Sequence, residues 1–156
     1  MMSKLIVLLV HSFILVLCAY ANSDLKSVSL RYYKTSDLTR LPEYFTGKEF
    51  SGNTLFIRSK EDRDGLYFSF RIPVALVTSQ EKFQVELSIL RKGNSENETF
   101  SFSLPTNLKD KKEIFLGLTG SDWLLANDKP IAWRLIIKNS LGSTLFLKKS
   151  FLWDHE

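Results

Sequence analysis

Apolar and polar side chains alternate with a period of two along most of the chain from Leu25 onward, the pattern of strands with one face buried and one wet. The clearest runs set Leu66, Phe68, Phe70 and Ile72 against Tyr67, Ser69 and Arg71, and Phe83, Val85, Leu87 and Ile89 against Gln84, Glu86 and Ser88. A third sets Phe100, Phe102 and Leu104 against Ser101 and Ser103. Shorter stripes predict strands at Val28, Leu30 and Tyr32, at Leu55 and Ile57, at Ile114, Leu116 and Leu118, and at Ile131, Trp133, Leu135 and Ile137. A last stripe begins at Leu145 and Leu147 and resumes at Phe151 and Trp153; Lys149 falls in its inward register, which predicts a bulge or change of sheet near Lys148 to Ser150.

Three polar, glycine-bearing segments lie between alternating runs and predict hairpins with antiparallel neighbours: Glu61 to Gly65, Lys92 to Asn97, and Asn139 to Ser143. Pro73, Pro105 and Pro130 fall at strand ends, where a missing N–H breaks no ladder. No helical period persists over three turns: Ser36 to Phe45 is interrupted by Pro42, and Ser121 to Leu125 makes at most one capped turn. The expected fold is therefore all-β: an immunoglobulin-like or Greek-key two-sheet sandwich of seven or eight mostly antiparallel strands, with a closed barrel as the alternative. Phe68, Phe70, Val85, Leu87, Phe102, Trp133 and Leu135 are its predicted core.

The first residues follow a different pattern. Lys4 precedes an apolar run from Leu5 to Leu17, and Ala19-Tyr20-Ala21 then offers small residues at the two positions a signal peptidase reads. Thirteen helical residues span only about 20 Å, short of the roughly 30 Å hydrocarbon layer. Residues 1–21 are thus expected to be a signal peptide and 22–156 a single β-sandwich domain, exported to the periplasm or secreted, without a transmembrane helix after cleavage. The alternative is a lipoprotein acylated at Cys18, but Leu17 stands where such a signal carries a small residue.

Composition narrows the chemistry. There are 21 Lys and Arg against 17 Asp and Glu, a net charge of +4, with one Cys and two His. Residues 22–156 retain one imidazole, His155, beside the C-terminus, and no thiol. That leaves a Ser-His-Asp or Cys-His centre without its base, and a zinc site without its usual ligands. Two carboxylates from different strands leave no local motif, so a hydrolase with a carboxylate pair stays open. Asp62 and Asp64 resemble part of a calcium loop, but Lys60 and Arg71 stand at the first and twelfth positions of that register, and a charged turn ended by Gly65 is expected. Lys109, Lys111, Lys112, Lys148 and Lys149 read as solvated strand entrances and edges, not a nucleic-acid stripe. No catalytic residue, metal or cofactor is predicted.

Tyr33, Tyr44, Phe45 and Trp123 are large side chains outside the alternating stripes and are the candidate binding aromatics; Tyr32 and Trp153 share that character. A competing role for Trp123 is to plug one end of the sandwich, and for Trp153 to close the last strand against the core. Asn97-Glu98-Thr99 fits the N-glycosylation pattern in a predicted hairpin loop. Together, Tyr44 to Phe50, Gly117 to Trp123, Ala132 to Leu135 and Ser150 to Trp153 resemble small exported bacterial β-sandwich proteins of uncharacterised function. The resemblance implies an envelope context and no activity. The functional expectation is a non-catalytic exported binding module whose partner is an envelope protein, with carbohydrate binding through the aromatics as the alternative.

Overall fold

A computed structural model describes residues 25–154 of the chain. The expected signal segment 1–21, Cys18, Asn22 and His155 lie outside the described residues. Eight strands form two four-stranded sheets packed as a sandwich: β1 (Ser29–Tyr33), β2 (Thr54–Arg58), β3 (Gly65–Arg71), β4 (Phe83–Leu90), β5 (Glu98–Leu104), β6 (Glu113–Thr119), β7 (Ala132–Lys138) and β8 (Thr144–Lys149). The first sheet has the order β1-β3-β6-β2 and the second β5-β4-β7-β8.

The core lies between the sheets and follows the period-two stripes. Phe68, Phe70, Val85, Leu87, Phe102 and Leu135 are buried there with Leu66, Ile114, Leu116 and Ile137. Trp133, expected among them, is half-buried at the margin, edge-on to Phe68 with ring centroids 5.8 Å apart. Each such side chain contributes about 1.5–3 kcal/mol on leaving water, which is what holds the sandwich together where the described residues include no cysteine.

Two of the three expected hairpins form, β4 to β5 and β7 to β8. The turn before Gly65 does not make one: β6 lies between β2 and β3, antiparallel to β3 and parallel to β2. Parallel pairing follows from the route of the chain, because β1 and β2 both run with β6 but lie on opposite edges of their sheet. Residues 34–53 must therefore return from the end of the sandwich where β1 stops to the end where β2 starts.

That crossover holds the segment whose helix looked broken by Pro42. It makes two short helices, α1 (Thr35–Leu38) and α2 (Leu41–Thr46), with Pro42 in the first turn of α2, where its absent N–H costs nothing. A third, α3 (Val74–Thr78), starts directly after Pro73 and was not signalled by any helical period. The predicted irregularity in the last strand lies earlier than expected. Ile137 pairs with Phe146 but Lys138 pairs with Thr144, so Leu145 is the extra residue. This turns Phe146 into the core and Leu147 outward, the reverse of the expected stripe.

Candidate functional site

The outer face of the first sheet was expected to be wet, yet it carries a second aromatic cluster. Tyr33 of β1, Phe56 of β2, Tyr67 of β3 and Phe115 of β6 share the outward phase of their strands. Phe56 and Phe115 lie 5.2 Å apart by ring centroids, Tyr33 meets both Tyr67 and Phe115 at 5.8 Å, and Phe56 stands perpendicular to Tyr67 at 6.1 Å. Gly117, opposite Tyr67, leaves the room its ring occupies: a Cβ there would lie 2.7 Å from the ring. Tyr67 is fully buried, which pushes its phenol pKa up; its hydroxyl donates to the Arg63 carbonyl at 2.8 Å and accepts from Arg58 Nε at 3.0 Å.

The crossover is fastened over this face by charge. Arg58 forms a two-pronged pair with Glu49, and Arg63 pairs with Glu43 at 2.8 Å. Lys111 Nζ donates to the Gly52 carbonyl at 2.7 Å and to Ser51 Oγ at 3.1 Å. Asp64 accepts at 2.6 Å from both the backbone N–H and the hydroxyl of Thr35, and these two bonds hold its carboxyl below the usual range. The bond from Arg63 likewise lowers the Glu43 carboxyl from 4.5 to about 2. Because the folded-state value is depressed, this contribution to stability is complete above pH about 4.5 and is lost as pH falls toward 2. Melting curves of wild type and Glu43→Gln should therefore differ at neutral pH and converge as pH drops through that window; a constant difference would refute the linkage.

With Glu43 turned inward, α2 presents its apolar side outward, the reverse of an ordinary surface helix. Leu41, Tyr44 and Phe45, at i, i+3 and i+4, are 72%, 76% and 83% exposed. The Arg63–Glu43 pair moors α2 to the end of the sandwich where β3 begins and β6 stops. Leu124, Leu125 and Ile131 are exposed on the β6–β7 connection at that end, and Phe151 and Leu152 on the turn that follows β8 there. The opposite end shows Val74 and Leu141.

The four candidate aromatics thus separate. Tyr44 and Phe45 are open to solvent, Tyr33 is half-buried in the outer aromatic cluster with the Arg31 guanidinium 5.0 Å from its ring, and Trp123 is 1% exposed. Trp123 is the end plug and is corrected from binding residue to core: its indole N–H donates to the Leu125 carbonyl at 3.1 Å, with Arg91 stacked 4.4 Å over the ring. That anchoring presents Leu124 and Leu125 to solvent. Tyr32 packs against the core, while Trp153 lies on the outer side of the second sheet against Arg134, 5.0 Å from its guanidinium, not against the core. Phe56, Tyr67 and Phe115 were missed, although aromatic residues in the polar phase of a strand are the signal that marks a second covered face.

Few proton-transfer geometries arise. Glu43 and Glu49 converge on Arg63, at 2.8 and 3.9 Å, and both carboxyls lie below their ordinary range, Glu49 chiefly through its bond from Arg58. Two ionised, arginine-bound carboxylates make a clamp and a poor general acid at neutral pH. Among the described residues no group of three His, Cys, Asp or Glu side chains is poised to hold a metal, and no helix is long and apolar enough to cross a membrane. An open cleft of about 520 Å³ is lined by Arg71, Lys111, Lys112 and Glu113, where Lys111 serves the crossover. Asn97 is exposed in the β4–β5 hairpin. No protein-family model matches the chain, and no curated protein matches it in sequence.

Proposed function

We propose that this protein is a non-catalytic interaction module of the cell envelope or extracellular space, exported behind a signal peptide, which docks end-on to a protein partner. The observation that carries this reading is the concentration of exposed apolar side chains at one end of the sandwich. They sit on three separate chain segments, each fixed from beneath by a buried or charged anchor: Glu43–Arg63 under α2, Trp123 under Leu124 and Leu125, and Arg134–Trp153 under the C-terminal turn. Exposed apolar surface of this kind marks contact sites. Leu and Ile beside Tyr and Phe favour a protein partner over a sugar, whose rings need flat aromatic faces with polar donors at their rim. Within the strand order β1-β3-β6-β2 over β5-β4-β7-β8, the antiparallel strands β1, β3 and β6 facing β5-β4-β7-β8 favour an immunoglobulin-like topology, from which the parallel edge strand β2 departs.

Tyr44→Ala, Phe45→Ala and Leu124→Ser are each expected to weaken capture of solubilised envelope protein by about 1–3 kcal/mol, roughly 5- to 150-fold, with an unchanged melting temperature. Capture that all three variants retain would reject the end-on surface. Saturable quenching of Trp fluorescence by an oligosaccharide, lost in Tyr44→Ala, would move the reading to a carbohydrate-binding module. Turnover of a glycan or peptide abolished by replacing one Asp or Glu would make it an enzyme.

A further inference from the structure

The four edge strands of the sandwich are protected unequally. β1 and β2 have five residues each, and β1 carries Arg31. β8 has the bulge at Leu145 and ends in Lys148 and Lys149. Short strands, bulges and edge lysines are the usual means by which a protein keeps its unpaired backbone from meeting another strand. β5 has none of them. It runs seven residues, Glu-Thr-Phe-Ser-Phe-Ser-Leu, in unbroken register with β4 from Ile89↔Glu98 to Phe83↔Leu104. It contains no Lys, Arg, Pro or Gly, and Thr99, Ser101 and Ser103 are exposed on its outer face. Among the described residues, its backbone makes no hydrogen bond outside the ladder with β4.

We propose that β5 pairs antiparallel with β5 of a second copy of this chain, about a twofold axis through Ser101. The strand's own sequence selects this occupant and this register. Directly opposed residues in an antiparallel pair share a face, so centring on Ser101 overlaps all seven residues and keeps both cores on one side. Phe100, half-buried at the core's margin, then opposes Phe102 of the second copy, and the pair occurs twice; Thr99 opposes Ser103 on the outer face. The one charged residue, Glu98, opposes Leu104 and is already held by Arg91 at 2.8 Å, so no like charges meet across the axis. The two second sheets become one continuous eight-stranded sheet. Antiparallel pairing also sends the two apolar ends in opposite directions, so a dimer bridges two partners. The pairing does not depend on what those ends bind.

The test uses the full chain carrying Cys18→Ser, so that any new cysteine is alone whether or not residues 1–21 are removed. Directly opposed Cβ atoms lie about 4.5–5.5 Å apart, close enough for a disulfide after small adjustment, whereas residues four positions out of register are about 13 Å apart. Under mild oxidation Ser101→Cys should form a covalent dimer, Thr99→Cys alone should not, and Thr99→Cys mixed with Ser103→Cys should. Without oxidant, sedimentation of the wild type should give twice the protomer mass. Ser101→Lys, at an exposed position that sets two cations face to face on the axis, should raise the dimer dissociation constant about tenfold or more while leaving the circular dichroism spectrum unchanged. Protomer mass at all concentrations, a dimer indifferent to Ser101→Lys, or equal cross-linking of Thr99→Cys with itself would each overturn the proposal. So would a monomer whose β5 edge accepts an extended segment of a different protein.

Discussion

Trp123→Ala is expected to remove about 3–5 kcal/mol of unfolding free energy, read from urea denaturation as a fall in midpoint. The indole is 1% exposed and sits just after the 3-10 turn Gly120–Asp122 that follows β6. Truncation leaves a cavity the size of the ring, strips the Leu125 carbonyl of its indole donor and removes the surface on which Arg91 stacks. Arg91 also holds Glu98 and the Asp122 carbonyl, so the start of β5 and the β6–β7 connection should loosen together. Phe45→Ala, by contrast, should change stability by less than about 0.5 kcal/mol, because its ring already faces water. Similar effects at the two positions would refute the distinction between plug and contact residue.

Gly65→Ala should cost about 2–3 kcal/mol or more although it adds a single methyl group. A Cβ at this position would lie 2.2 Å from the Leu118 carbonyl oxygen and 2.8 Å from Thr119 Cα and Cγ2. The obstacle is the backbone of β6, which cannot swing aside as a flexible side chain would. Gly65 pairs with Tyr33 on one side and Thr119 on the other, so displacement disturbs two ladders at once. The adjacent Asp64, which holds Thr35 and the start of the crossover, moves with it. Ser69→Ala, on the same strand and half-buried, should stay within about 0.5 kcal/mol. A tolerated alanine at Gly65 would mean that β3 and β6 can separate without loss, contrary to their close approach here.

Much of the candidate site was legible only in part. Tyr44 and Phe45 stood out because no stripe absorbed them, and both are exposed. Trp123 stood out for the same reason and is buried. Being out of phase with a strand says that a side chain is not in a ladder; it does not say whether a loop folds that side chain inward. The opposite error occurs at Tyr67, in phase for water yet covered, because residues 34–53 lie across that face and bring Glu49 and Glu43 to Arg58 and Arg63.

The period-two alternation by itself determined the all-β class, a count of seven or eight strands of which the structure has eight, and most of the residues that fill the space between the sheets, among them Phe68 and Leu135. It does so because alternation is a local record of which face leaves water, written within six or seven consecutive residues. Tertiary structure alone decided that β6 separates β2 from β3, that β2 runs parallel to it, that one extra residue at Leu145 exchanges Phe146 for Leu147, and that the apolar turns gather at one end. All but the bulge depend on partners far apart in sequence, as Gly65 is from Thr119 and Glu43 from Arg63; the bulge depends on how the two strands of one hairpin pair, Lys138 with Thr144. No pattern within one strand encodes which distant strand lies beside it, because the hydrophobic gain of burying a face is nearly the same for every neighbour that covers it.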